Sequence, residues 1–443
     1  MTISTNRNSR FPEAASDRIT PMIVAGPHFR AGGEPAAYTY PTSYRSRNNN
    51  MNVHRAAISS LIPKTLKGLR ISYYRPARRS LHLGEHFTRG SSNEIELTTR
   101  VPIAGRKYLP SSNAAGFPKF LSGPRENYPL LVKAVNGQAS TIELWAKRSR
   151  EVIDEAYREY EKSGSAVAIL FRGLPVSNAE DFSTWGNKLG YEPYAYIGGT
   201  TARYEIIENV AIGALDSKVL TIEPHNEMSY SVRYPKIFAI SCFKKASWGG
   251  ETAICDNREI FPELDQSFVE KCERKRIRYW HYLPDGESKD EGKTYQTWQM
   301  QFQTEDRTEV EDYLKRNEYE WEWEGRNLFY WNNLAPFISH PRSGERLWFN
   351  QIVVCHCSYF MDNPDFESPN LSDRRKYPTH TTYGDGEEID DALIEDYRRI
   401  TWEKAVTFDW QEGDVLFLDQ LIVQHSRLSF EGERNVGVSL FTY

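Results

Sequence analysis

Beyond residue 205 the chain is written in short runs of β-branched and aromatic residues: KIFAISCF, ERLWFNQIVVC, AVTFDW, DVLFLDQLIVQH and NVGVSLFTY. Breakers such as WGG and QEGD separate them. Short runs punctuated in this way predict strands of a sandwich or barrel. Helix-like stretches at 257–274 and 387–400 interrupt the series. The pattern predicts an α+β fold around a double-stranded β-helix (jelly roll), with flanking helices and insertions.

Upstream the texture differs. STIELWAKRSREVIDEAYREYEKSG opens with a capping box, Ser140 to Glu143, and ends at Gly164. Ile142, Trp145, Val152, Ala156 and Tyr160 form one helical face. AVAILFRG (166–173) has the length of a buried strand. SNAEDFSTWGNKLG repeats the box at Ser177 and Glu180, offers Phe182, Trp185 and Leu189 to a core, and ends at Gly190. The predicted order is helix, strand, helix.

Residues 1–94 read as a poorly structured basic extension, and 95–443 as the folded domain. Residues 1–90 hold fourteen Arg or Lys against four acidic residues, so the remainder carries fifteen more acidic than basic side chains. That balance argues against nucleic acid as a partner. Within the extension, MNVHRAAISSLIPKTLKGLRISYYR is basic and weakly amphipathic, like a targeting segment displaced from the N-terminus. Five cysteines, Cys242, Cys255, Cys272, Cys355 and Cys357, show no framework spacing and read as reduced thiols. With no apolar run of membrane-spanning length, the expectation is a cytoplasmic protein without membrane partners, a mitochondrial address being the alternative. HLGEH (82–86) matches a zinc-peptidase pattern, but Gly84 and its Arg-rich flanks are poor helix.

In EPHNEMSY, His225 and Glu227 sit two positions apart, so on a strand both project to one face. Such a pair is half of a metal site or a solvated couple, and a distant histidine would decide. His28, His54, His82 and His86 lie in or beside the basic extension. His281 sits in a Trp/Tyr run, His340 precedes a proline, and His380 lies in a Thr-rich loop. His356, between Cys355 and Cys357, reads as part of a packed strand more than as a soft-metal site. His425, closing DVLFLDQLIVQH, is the best third donor. Nine residues later comes Arg434, whose planar fork suits a carboxylate. Two imidazoles and one carboxylate on one face suit non-haem Fe(II) and leave positions open.

HNEMSY, WGGETAICDNREIF, HPRSGERLWFNQ, YGDGEEID and WQEGDVLFLDQLIVQHSRLSFEGER, in that order, resemble the taurine dioxygenase-like (TauD/TfdA) superfamily of Fe(II)/2-oxoglutarate oxygenases. They are similar to its branch with clavaminate synthase and the SyrP-type amino-acid hydroxylases, which use Glu in the carboxylate position. AVAILFRGLPVSNAEDF and YIGGTTARYEIIENV fit earlier segments of the same family. The resemblance covers roughly residues 95–443.

It implies His225, Glu227 and His425 as iron ligands and catalytic residues, with Arg434 and Thr252 anchoring 2-oxoglutarate. It implies a dioxygenase that turns 2-oxoglutarate and O2 into succinate and CO2 while oxidising an unactivated C–H bond. Hydroxylation is the default, with desaturation or cyclisation as variants. The branch favours a free or carrier-bound amino acid or a similar small carboxylate, in secondary metabolism. Arg203 is the candidate cation for its carboxylate, with Tyr230, Phe349 and Asn350 as further substrate contacts. Gln420, Gln424 and Ser426 depart from the family pattern beside the metal strand. Glu227 argues against halogenation, which needs a small residue there. The absence of cysteine before Cys242 argues against the butyrobetaine hydroxylase zinc site. A non-catalytic jelly-roll binding protein and a zinc hydrolase are the rival classes. The latter has no use for an Arg/Thr pair that anchors 2-oxoglutarate.

Overall fold

In a computed structural model, which describes residues 83–135, 141–201, 203–287, 296–366 and 371–443, the apolar runs form two main sheets. The larger runs Phe87–Arg89, Leu130–Ala134, Ala168–Arg172, Val415–Asp419, Ile237–Lys244, Asn435–Thr442, Val210–Ile212, Glu205–Ile207, and Glu192–Pro193 also pairs with Asn435–Thr442. Only the Leu130–Ala134 and Ala168–Arg172 pair is parallel in this sheet. The smaller sheet runs Val406–Thr407, Ala253–Asp256, Val423–Arg427, Ile222–His225, all antiparallel. The architecture is mixed α+β, with mostly antiparallel strands.

Both sheets feed one apolar core, in which Phe238, Leu416 and Phe417 of the large sheet meet Ile254, Val406 and Val423 of the small one. Val415–Asp419 is buried along its whole length, as a central strand covered on both faces must be. Its outer cover is helical. Ile142–Ser163 buries Trp145, Val152, Ala156 and Tyr160, and Ala179–Lys188 buries Phe182 and Trp185. Trp185 meets Phe171 of the sheet edge-on, with ring centroids 6.1 Å apart. A third sheet (Glu320–Glu324, Asn327–Leu334, Ile277–Leu283, Thr379–Tyr383) carries the helices Trp298–Phe302 and Arg307–Arg316 around its own aromatic cluster.

Several boundaries differ from the sequence expectation. The first helix is capped by Thr141, whose side chain accepts from the Leu144 amide; the expected cap, Ser140, lies outside the described residues. The second is capped by Asn178, which accepts from Asp181, while Ser177 instead binds the Asp181 carboxylate. Short polar side chains in a row compete for the same orphan amides, so the cap shifts by one. DVLFLDQLIVQH is two strands, Val415–Asp419 and Val423–Arg427, in different sheets. Asp419 Oδ1 accepts from the Leu421 amide at 3.0 Å and turns the chain between them. In ERLWFNQIVVC only Arg346–Trp348 is a strand, and His356 caps a 3-10 turn, Cys357–Tyr359, not a packed strand.

The folded part starts before residue 95: Phe87–Arg89 joins the large sheet and Ile95 is fully buried. The basic segment around 51–75 and His28, His54 and His82 lie outside the described residues; Gly84 and His86 sit in a turn, not a helix. Among the described residues no helix is long and apolar enough to cross a membrane. All five cysteines are free and buried, and burial pushes the Cys242 thiol up to about 11 and Cys357 up to about 12. The native chain is therefore expected to resist a thiol-reactive disulfide reagent at pH 8. All five thiols should react once it is denatured, and rapid native labelling at any of them would contradict this burial.

Candidate metal centre

The smaller sheet makes the site by register. Ile222–His225 and Val423–Arg427 pair antiparallel, and His225 stands directly opposite His425, two hundred residues away in the chain. A cross-strand pair shares one face and brings side chains within reach. The imidazole centroids lie 4.5 Å apart. Phe238 of the larger sheet stacks on the His425 ring, centroids 3.7 Å apart, and backs it from the core.

Glu227 follows the strand on a tight turn in which Met228 is left-handed (φ 56°) though it is not glycine. Such a residue persists only where its surroundings hold it. Here Asn226 donates to the Gln420 carbonyl at 2.5 Å, and Asn257 donates to Asn226 Oδ1 at 3.2 Å and to the Leu421 carbonyl at 2.9 Å. Gln420 donates to the Glu227 carbonyl at 3.3 Å and also to that of Pro235. The glutamine at 420 thus ties the carboxylate turn to the sheet-crossing turn.

The three side chains converge. Glu227 Oε2 lies 4.0 Å from His225 Nε2 and 3.9 Å from His425 Nε2, and all three donor atoms fall within 4.8 Å of one another. These gaps exceed hydrogen-bond length, so the imidazoles face the carboxylate without bonding to it. His225 Nδ1 lies 2.8 Å from the Glu223 carbonyl, which can only accept, so Nδ1 carries the proton and Nε2 turns its lone pair inward. Burial pushes the pKa of His225 below its ordinary value and that of His425 well below, which keeps both rings neutral. Two neutral imidazoles and one carboxylate, buried and convergent, fit a ferrous ion.

Arg203 enters from the loop before Glu205–Ile207. Its Nη2 donates to Glu227 Oε2 at 2.8 Å, and both side chains are about 5% exposed. The expected substrate cation therefore touches the expected metal carboxylate.

Thr252 and Arg434 each stand one residue before a strand, the first in the smaller sheet and the second in the larger. Thr252 precedes Ala253–Asp256, whose Ile254 pairs with His425. Its hydroxyl accepts from the Trp410 indole at 3.2 Å. Arg434 Nε donates to the Gly250 carbonyl at 3.1 Å. Burial, and then the neighbouring Arg427, pull its pKa down to about 10. Gly250 is left-handed (φ +73°), and a Cβ there would come within 2.9 Å of Arg434 Cδ. Glycine at this position leaves the arginine its place.

Three further expected substrate contacts are built into the framework. Tyr230 is buried, its hydroxyl accepting from the Thr200 amide at 2.8 Å and its carbonyl from Asn332 at 2.9 Å. Phe349 packs on Tyr234, with centroids 4.7 Å apart. Asn350 donates to the Pro336 carbonyl at 3.3 Å and accepts from Tyr397 at 3.1 Å.

A second group, His356, Cys357 and His380, also brings donor atoms within 4.8 Å. Its rings are otherwise engaged: His356 Nδ1 accepts from the Ser358 amide at 3.3 Å, and His380 Nδ1 from the Cys357 amide at 3.4 Å. That places the protons on Nε2, and His380 Nε2 lies 3.0 Å from Glu388. His340 Nε2 donates to buried Asp419 at 2.9 Å and so braces the turn between the two sheets.

Sequence reasoning missed the buried pair that supports the metal strand. Arg398 Nε donates to Glu223 Oε2 at 2.7 Å, both side chains about 1% exposed, and reaches Ser111 and Ser358. Glu223 had a signal, an acid two positions before His225, but its partner lies on a helix 175 residues away.

The chain is similar in sequence to proteins already described. The dapdiamide synthesis protein DdaC of Enterobacter agglomerans is 31% identical over 312 residues, 70% of this chain and 90% of that protein. A clavaminate synthase-like protein of Arabidopsis thaliana is 27% identical over 351 residues, 78% of this chain and 98% of the relative. Among solved structures, PvcB of Pseudomonas aeruginosa covers 74% of this chain and 92% of its own at 14% identity, with a TM-score of 0.39. Residues 126–439 match the family described as taurine catabolism dioxygenase TauD, TfdA, which spans more than half of the sequence. The chain belongs to that family and is an Fe(II)- and 2-oxoglutarate-dependent dioxygenase.

Proposed function

We propose that this dioxygenase oxidises an unactivated C–H bond of a small, carboxylate-bearing, amino-acid-like metabolite, by hydroxylation in the default case. The observation that carries the reading is the meeting of His225, Glu227 and His425 from segments two hundred residues apart. In this reading the three hold Fe(II) from one side, on a core of jelly-roll type. When bound, the metal with 2-oxoglutarate and O2 supplies the oxidising power.

The protein's own groups do the rest. The Glu223 carbonyl holds the proton of His225 at Nδ1, and Phe238 fixes the plane of His425. Arg434 receives the distal carboxylate of 2-oxoglutarate as a fixed fork, with the Thr252 hydroxyl, oriented by Trp410, as second contact. Burial excludes water and keeps the donor rings neutral. DdaC serves dapdiamide synthesis, which favours a metabolite over a macromolecule as substrate.

Fe(II) and 2-oxoglutarate added without oxygen should give a visible charge-transfer band. Amino acids and small carboxylates screened under turnover should reveal one that drives succinate release and gains 16 mass units or loses 2. A chain that forms the band but releases no succinate with any of them would favour the non-catalytic binding protein. Gly250→Ala should raise the Michaelis constant for 2-oxoglutarate roughly tenfold, since the new methyl displaces Arg434. An unchanged constant would remove Arg434 from the co-substrate pocket.

A further inference from the structure

The guanidinium of Arg203 is only partly used. Nη2 is taken by Glu227, but Nε and Nη1 are buried without a hydrogen-bond partner among the described residues. An unsatisfied buried donor costs about 1–3 kcal/mol, more when charged. In a native chain such a group is met by an ordered water, an ion or a ligand.

The surroundings hold Arg203 for that purpose. Its guanidinium lies over the Tyr196 ring, 4.7 Å from the centroid. Tyr196 can fold back there because residue 199 is glycine; a Cβ would overlap its ring. The loop between them is clamped at four points. Tyr313 donates to the Ile197 carbonyl at 2.7 Å, Gln301 to that of Gly198 at 3.3 Å, and the Thr200 and Thr201 amides donate to the Tyr230 and Tyr196 hydroxyls. Tyr230 thus acts through this loop. Besides Glu227, Asp216 is within electrostatic reach of Arg203.

We infer that Arg203 is a two-sided bridge, one nitrogen on Glu227 and its free N–H groups on the carboxylate of the substrate, so that substrate and metal affinities are coupled through it. The inference rests on the metal-centre reading above and adds to it. A carboxylate that draws on the guanidinium weakens the hold of Arg203 on Glu227 Oε2 and leaves that oxygen freer for the cation. By linkage the metal then strengthens the carboxylate equally.

Mn2+ serves as the probe, its free aqua ion read by electron paramagnetic resonance, with N-oxalylglycine filling the 2-oxoglutarate site. Acetate at 50 mM is the carboxylate, and acetamide at matched ionic strength the uncharged control. In the unaltered chain acetate should tighten Mn2+ binding about fivefold or more and acetamide should leave it unchanged. Arg203→Gln should bind Mn2+ at least as tightly without acetate and show no response to it. Arg203→Lys, which keeps the charge but not the fork, should lose most of the response. Direct ligation of acetate to the metal would persist in both variants, so a retained response overturns the bridge. Indifference of the unaltered chain to acetate overturns it too. Mn2+ binding that survives His225→Ala would instead overturn the metal-centre reading, and the bridge with it.

Discussion

A His425→Ala chain is expected to lose the anaerobic charge-transfer band of Fe(II) with 2-oxoglutarate and to release succinate at least about a thousandfold more slowly. Loss of a group that merely orients a metal ligand costs 10–100-fold, and loss of a ligand costs more. Among the described residues three donors converge at this site, and in the second histidine cluster both Nδ1 atoms accept from backbone amides. The fold should survive, because His425 is one residue of a buried strand whose backbone pairing on both sides is unaffected. Far-ultraviolet circular dichroism should therefore match the unaltered chain while iron binding is gone. A His425→Ala chain that kept the band would remove this residue from the centre, and with it the cross-strand logic of the site.

Arg398→Ala is expected to destabilise the chain by about 3–5 kcal/mol, read from urea unfolding. The substitution strands the Glu223 carboxylate, about 1% exposed, without its cation. The double variant Arg398→Met/Glu223→Leu should recover most of that loss, since two apolar side chains carry no desolvation cost. It should also keep its iron. His225 is oriented by the backbone carbonyl of residue 223, which the side-chain change leaves in place. A shift below about 1 kcal/mol in the single variant would show that the pair does not hold the strand. Loss of iron in the double variant would show that the ion pair, not the carbonyl alone, sets the His225 ring.

Sequence and structure divide along the range of the interactions involved. The helix ending at Gly164 was legible because its signals are local: an apolar face at helical spacing and a left-handed glycine, φ 74° in the structure. The strand Ala168–Arg172 was legible because it is short, apolar and bounded. The cap positions were off by one because neighbouring Ser, Thr and Asn compete for the same amide, and small differences in backbone geometry decide. VVCHCSY misled because alternation does not distinguish a strand from a buried turn whose histidine caps a 3-10 helix.

The sequence by itself determined the family, the demand for Fe(II) and 2-oxoglutarate, and a short set of candidate donors, because chemistry-bearing residue types recur at characteristic spacings along the chain. Only the tertiary structure decided that DVLFLDQLIVQH changes sheets at Asp419, which sets His425 opposite His225. Only it showed that Arg203 already grips Glu227, that Glu223 is answered by Arg398, and that Tyr230 and Asn350 are spent on the framework. These are contacts between residues 24 to 200 positions apart. Strand register and helix docking set them through the packing of the whole core, and no local pattern of side chains encodes the result.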